Sequence, residues 1–167
     1  MVHSKGIDNN RVIRELDFGE LLTISESFDN KIIIRLFQVS SKVDLYQNKG
    51  TLKNAITELK RIHAFLRVNI ITYEDKNYFV EAENQDSLDN VKFLTVGGGD
   101  NASPEAHTEL YKLLIKNELF NNPINIEKDL LWRVFFIKEK NNENDGVFKY
   151  NLVVSMHHAI TEGLIFT

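Results

Sequence analysis

The sequence predicts a mixed α/β (α+β) fold, a mixed sheet flanked by helices, and three observations carry that expectation. Residues 31–43 form a run rich in Ile, Leu, Phe and Val, the composition of a buried strand. Residues 52–66 place Leu52, Ala55, Ile56, Leu59, Ile62 and Leu66 on one face of a helix. Two apolar runs, 130–139 and 148–156, flank a polar connector and read as an antiparallel pair. The 167 residues suffice for one domain with a sizeable core, but not for two full lobes with a cleft between them.

The remaining elements follow from local chemistry. Residues 68–80 alternate as two short strands that turn at Glu74-Asp75-Lys76-Asn77. Residues 96–104 cluster Gly97, Gly98, Gly99, Asp100 and Asn101 before Pro104, and so read as a loop. Ser103 is a suitable N-cap, Pro104 suits the first helical position, and Glu105 falls in the first turn. The helix that follows carries Ala106, Leu110, Leu113, Leu114 and Phe120. The connector 140–146, Lys140-Asn141-Asn142-Glu143-Asn144-Asp145-Gly146, has the composition of a long hairpin turn. Strands and helices in this order suggest a mixed sheet.

Composition removes several classes of function. With 43% hydrophobic and 26% charged residues, the chain has the make-up of a folded domain rather than a disordered one. Twenty basic against 24 acidic side chains leave a net charge of −4, which offers no footprint for nucleic acid or anionic lipid. Cysteine is absent, excluding disulfides, thiol nucleophiles and thiolate metal sites. No apolar run approaches the roughly 18–20 residues of a membrane span, and the first residues do not resemble a signal peptide. The expected location is the cytoplasm.

The segment that carries chemistry is the end of the last strand. Asn151 to Met156 run directly into His157-His158-Ala159-Ile160-Thr161-Glu162-Gly163. A strand end holds the backbone while its side chains reach a cleft. Imidazole, with a pKa near neutrality, is the natural base for a hydroxyl or amine proton. If the strand stayed extended, His157 and His158 would point to opposite faces. Glu162 would hold the loop through an arginine, and Gly163 would permit a turn. The bland alternative is two partly buried histidines and a surface glutamate.

That segment resembles the HHxxxDG signature of the acyltransferase superfamily that includes chloramphenicol acetyltransferase, alcohol acetyltransferases and peptide-synthetase condensation domains. Arg14-Glu15-Leu16-Asp17-Phe18-Gly19-Glu20 resembles the RxLxxxE opening of the latter two branches. Ile62-His63-Ala64-Phe65-Leu66-Arg67 is similar to their RHPxLR stretch, with Ile62 in place of the first arginine. Asp129-Leu130-Leu131-Trp132-Arg133-Val134 resembles the PLWRV strand before the histidines, without its proline.

The resemblance implies residues 1–167 as the N-terminal lobe of a chloramphenicol-acetyltransferase-like two-lobed fold. It implies transfer of an acyl group from a thioester to a hydroxyl or amine of a small-molecule acceptor. His158 would be the general base, His157 a supporting residue and Glu162 the structural carboxylate in the place of the family's Asp. Glu162 has one methylene more than that Asp; its candidate partners are Arg67 and Arg133. No cofactor is expected to be tightly bound; acyl-CoA or a phosphopantetheine thioester would be the co-substrate. The relatives' second lobe is expected to be absent, since the chain ends four residues past Gly163. The exposed lobe face would then meet that missing C-terminal lobe or self-associate, and the isolated chain would be inactive. A different class of reading is a truncated or degenerate module that acts in binding or assembly.

Weaker signals lose to simpler ones. Asp17-Phe18-Gly19 spells a kinase triplet without the other kinase motifs, and Gly97-Gly98-Gly99 lacks the Lys-Ser/Thr of a phosphate loop. His157, His158 and Glu162 are types that suit zinc, but no HExxH accompanies them and no metal is expected. His63 and His107 are expected at helix surfaces and Trp132 in the core. The absence of GxSxG argues against an α/β-hydrolase.

Overall fold

The computed structural model describes residues 8, 11–24, 32–83, 88, 90–96, 104–144 and 146–165. Among the described residues, seven strands form two sheets. The smaller sheet has the order β1-β4-β3, from β1 (Val12–Glu15), β3 (Val68–Tyr73) and β4 (Lys76–Glu81). The larger has the order β2-β7-β6-β5, from β2 (Ile32–Ser41), β5 (Val91–Val96), β6 (Trp132–Asn144) and β7 (Val147–His157). All pairs are antiparallel except β5 with β6. The helices are α1 (Phe18–Ile24), α2 (Lys49–Ile62), α3 (Pro104–Lys116) and α4 (His158–Ile165). The expected mixed sheet flanked by helices is thus the observed fold.

Both faces of the larger sheet are apolar, so both must be covered. On one face Phe135, Ile137 and Val153 pack with Leu110, Tyr111 and Leu114 of α3. On the other, Trp132, Phe136 and Leu152 join a core that includes Ile56 of α2. The same core continues into the small sheet through Val68, Ile70 and Phe79, so the two sheets share one interior. The Trp132 indole lies in that core and donates from Nε1 to the Leu66 carbonyl at 2.9 Å, which ties β6 to the 3-10 turn just before β3.

Several boundaries move for physical reasons. The helix expected over 52–66 starts at Lys49 and stops at Ile62, where His63 turns extended (φ −108°, ψ 102°). Ala64–Arg67 then form a separate 3-10 turn that carries Leu66. Leu113, expected on the buried face of its helix, is 63% exposed, because Leu110 and Leu114 one turn apart already meet the sheet. Pro104 does open α3 as expected, while Ser103 and the glycines 97–99 lie outside the described residues. Phe120 falls in a π-helical turn, Asn117–Asn121, rather than in the α-helix.

The connector 140–146 is a correction. It is not a long turn: β6 runs on to Asn144, with an irregular register between Lys138 and Glu143, and pairs Asn144 with Val147. Gly146 takes φ +72° at the turn itself, a backbone that only glycine adopts freely. Three elements, β1, α1 and β5, had no periodicity long enough to announce them. The β3–β4 hairpin turns through two residues, Glu74 (φ 48°) and Asp75 (φ 60°), because Tyr73 pairs with Lys76.

Two positive φ values in a two-residue turn match the twist of the flanking strands but suit Asn-Gly better than Glu-Asp. Replacing Glu74→Asn together with Asp75→Gly is expected to stabilise the chain by about 1 kcal/mol. In thermal unfolding that gain reads as a rise of about 2–4 °C in Tm.

Candidate functional site

The site forms where β7 passes without a loop into α4. The strand stays paired to its last residue: His157 pairs with Ile32 of β2, and its N–H donates to the Leu131 carbonyl, just before β6, at 2.7 Å. The helix then starts at His158, with no Ser, Thr, Asp or Asn to cap it. His157 takes that role: its Nδ1 accepts the Ala159 N–H at 3.2 Å, satisfying one of the orphan donors of the first turn. Accepting there leaves the ring proton on Nε2 of a neutral imidazole. His157 is only 4% exposed. Burial, and next the charge of His158, push its pKa down to about 4.

His158 occupies the first helical position. Its side chain is half-buried, and its Nδ1 is buried with no hydrogen-bond partner among the described residues. The following residues anchor the helix: Ala159, Ile160 and Thr161 are buried, and Thr161 Oγ1 donates to the His158 carbonyl at 2.7 Å. The opposite-face geometry expected for an extended pair does not arise, since only His157 belongs to the strand. Gly163, expected at a loop turn, lies within α4 instead, and Glu162 lies there too. The Glu162 side chain is outside the described part of the structure.

Among the described residues, the two arginines considered as its partners hold other carboxylates. Arg67 donates from Nε to Glu81 at 2.8 Å and from Nη1 to the Lys60 carbonyl. Arg133 donates to Asp129 at 3.0 Å, to the fully buried Glu118 at 3.3 Å and to the Asn122 carbonyl at 2.5 Å. Both therefore brace the elements around β3 and β6. His63 caps the end of α2, and Trp132 lies in the core as expected.

The opening motif has a full structural account. Asp17 and Glu20 form a reciprocal capping box: Glu20 N–H donates to Asp17 Oδ1 at 2.9 Å, and Asp17 N–H donates to Glu20 Oε2 at 2.8 Å. Arg14 grips the buried Glu20 carboxylate with two hydrogen bonds, at 2.7 and 2.5 Å. Its guanidinium also lies over the Phe65 and Phe79 rings, 5.3 and 5.0 Å from their centroids. The hydrogen bond to Glu20 raises the Arg14 pKa further. The helix α1 that this cluster caps packs against α4, the helix that His158 opens.

A second polar cluster was not visible in the sequence. Lys138 donates to Asp44 at 2.5 Å and Tyr150 donates to the same carboxylate at 3.1 Å. Burial raises the Asp44 pKa, but Lys138 and the other hydrogen bonds outweigh it and hold the group below its usual value. Tyr46 donates to the Leu94 and Phe136 carbonyls, and burial pushes its phenol up to about 12. These residues pin the segment after β2 to the sheet; their separations of 48 to 106 positions leave no local signal.

Two outcomes test this geometry. Below pH 6.5 the unfolded chain protonates His157, whereas the native imidazole stays neutral until about pH 4. The stability it contributes is complete above pH 6.5, and about 3 kcal/mol is lost as the pH falls towards 4. His157→Asn keeps a cap acceptor without the titration, so urea midpoints at pH 7 and pH 5 should differ less in the variant than in the parent. Glu20→Ala removes the capping box and leaves Arg14 unpaired; chemical unfolding should show a loss of about 2–3 kcal/mol.

Solved structures share this fold. The wax ester synthase/diacylglycerol acyltransferase from Marinobacter aquaeolei VT8 superposes with a TM-score of 0.62 at 15% identity, over 92% of this chain and 35% of that one. The starter condensation domain of rhizomide synthetase matches at 0.61 and 12%, over 88% and 34%. Tallysomycin biosynthesis protein TlmII matches at 0.59 and 18%, over 86% and 31%. The chain thus spans about a third of the length of these structures. No family model matches the sequence, and no curated protein does. The fold is one that this chain shares with part of a condensation domain and of an acyltransferase.

Proposed function

From a condensation and acyltransferase fold that spans about a third of its structural neighbours, we propose that this chain is the N-terminal lobe of an acyltransferase. The donor is a thioester, on coenzyme A or on a carrier-protein phosphopantetheine, and the acceptor is a small-molecule hydroxyl or amine. The single observation that supports this reading best is the β7–α4 junction, where a neutral, buried His157 caps the helix that begins with His158. In this reading His158 takes the proton of the acceptor O–H or N–H as the acceptor attacks the thioester carbonyl carbon. The C–S bond of the tetrahedral intermediate then breaks, and the imidazolium returns the proton to the departing thiolate. With Nδ1 buried, Nε2 is the nitrogen proposed to accept the proton. His157 supports by fixing the backbone from which His158 projects, and Glu162 is proposed to brace α4 through its carboxylate. A cytoplasmic setting, where such thioesters are available, fits this chemistry.

A base of this kind contributes roughly 10²–10⁴-fold to rate. In a complete two-lobed protein carrying this sequence, thiol release from acetyl-CoA with a panel of alcohols and amines should fall at least about a hundredfold on His158→Ala. Thermal melting should show the fold intact. Transfer indifferent to that substitution would sink the assignment. The 167-residue chain alone is expected to give little or no transfer.

A non-catalytic assembly module is the second reading, and the surface of α1 favours it. Phe18 is 77% exposed, and Leu22 on the same short helix is also exposed beside α4. Such a patch suits a second lobe or a second copy. Sedimentation that shows concentration-dependent association, lost in Phe18→Ser, would support this module; a strict monomer at all concentrations would count against it.

A further inference from the structure

The space between α2 and the larger sheet is not filled. An apolar cavity of about 350 Å³ lies there, and among the described residues no polar side chain lines it. Protein interiors pack with few voids larger than a water molecule. A volume of this size falls in the range of ligand sites, and an apolar cavity less than half as large already takes up benzene. The roof is α2, which faces the cavity with Leu52, Ala55, Ile56 and Leu59; Ala55 is the smallest of these and is exposed. Its floor follows β7 through Leu152, Val154 and Met156, about 13 Å of strand. Met156 immediately precedes His157. One flank is open, where Phe37 of the edge strand is 51% exposed and Leu59 is 48% exposed.

Among the described residues no charged side chain lines the cavity. Arg35 pairs in register with Val154 and stands two residues from Phe37, so it shares their sheet face at the open flank, and it is exposed. A slot without hydrogen-bonding groups rejects polar ligands, because each polar atom entering it would lose its water uncompensated. A cation at the mouth of such a slot suits a ligand with a long hydrocarbon tail and an anionic end.

We propose that the slot between α2 and the sheet binds the hydrocarbon chain of a fatty carboxylate, with its head held at the flank by Arg35. This site is separate from the acyl-transfer reading, because binding in it needs no base and no second lobe. Whether that reading stands or falls is decided by His158; occupancy of the slot is decided by Ala55 and Arg35.

The experiment uses the 167-residue chain and displacement of 11-(dansylamino)undecanoic acid by saturated fatty acids from octanoate upward. Each added methylene should tighten binding about fourfold until the slot is full, after which the gain stops. Ala55→Trp, which fills the slot from its roof, should weaken dodecanoate at least about tenfold at unchanged Tm, by the same methylene scale. Should that variant melt early, Leu59→Trp at the mouth takes its place. Leu113→Ala, on the opposite side of the sheet, should bind as the parent does. Arg35→Gln should weaken dodecanoate but not dodecanol. Affinity indifferent to chain length, or undiminished by the slot-filling tryptophan, would overturn the site. Displacement of the probe by self-association of the chain would overturn it equally, and equal loss of dodecanoate and dodecanol in Arg35→Gln would overturn the place of the head.

Discussion

The hydrogen bond from the Ala159 N–H to the His157 imidazole is the constraint on which the site depends. A helix that starts straight from a buried strand leaves its first N–H groups without water, and such groups must find an acceptor inside the protein. His157 supplies one, and the same burial that isolates the helix start keeps the ring neutral and so able to accept. The helix geometry then begins at His158. One side chain is thus consumed as structure, and the next opens the helix.

The Arg14–Glu20 cluster extends this logic to the neighbouring helix. A carboxylate buried without a counter-ion would be costly. Here the two N–H groups of the capping box and the bidentate guanidinium satisfy it, and two aromatic rings receive the guanidinium face. With its start locked, α1 packs against α4. Arg133 does comparable work on the other side of the sheet, where it satisfies Glu118 inside the π-helical turn and reaches Asp129. Polar networks of this kind impose one arrangement because a partly satisfied alternative leaves a buried charge exposed to no partner.

The parts of the fold that were legible in the residues were those with strong periodicity or strong local chemistry. β2 and α2 were readable because a run of branched apolar residues or a 3.6-residue repeat marks the element, but β2, expected to be buried, is an edge strand with Leu36 and Phe37 exposed. Pro104 marked a helix start because its ring suits only that position. The short β1 and the parallel β5 were not readable. Four to six residues give too few repeats, and partners far away in sequence decide their pairing. The polar residues 140–144 looked like a turn, yet a neighbouring strand in the sheet recruits them. Tertiary pairing overrides composition there.

For the site, the residue types and their order were enough to single out His157, His158, Glu162 and Gly163, and to associate them with the motif near Arg14 and Glu20. That is because a motif is a list of chemical groups at fixed spacing along one chain. What the groups do to one another depended on the fold. An extended pair of histidines would place them on opposite faces, whereas a helix that starts at the second makes the first its cap. Arg67 and Arg133 were eligible partners for Glu162 by charge alone, and space gives them Glu81, Glu118 and Asp129. Charge and hydrogen-bonding capacity travel with the residue, but burial, partner and direction are properties of position, and position is set by the packing of the sheets and helices together.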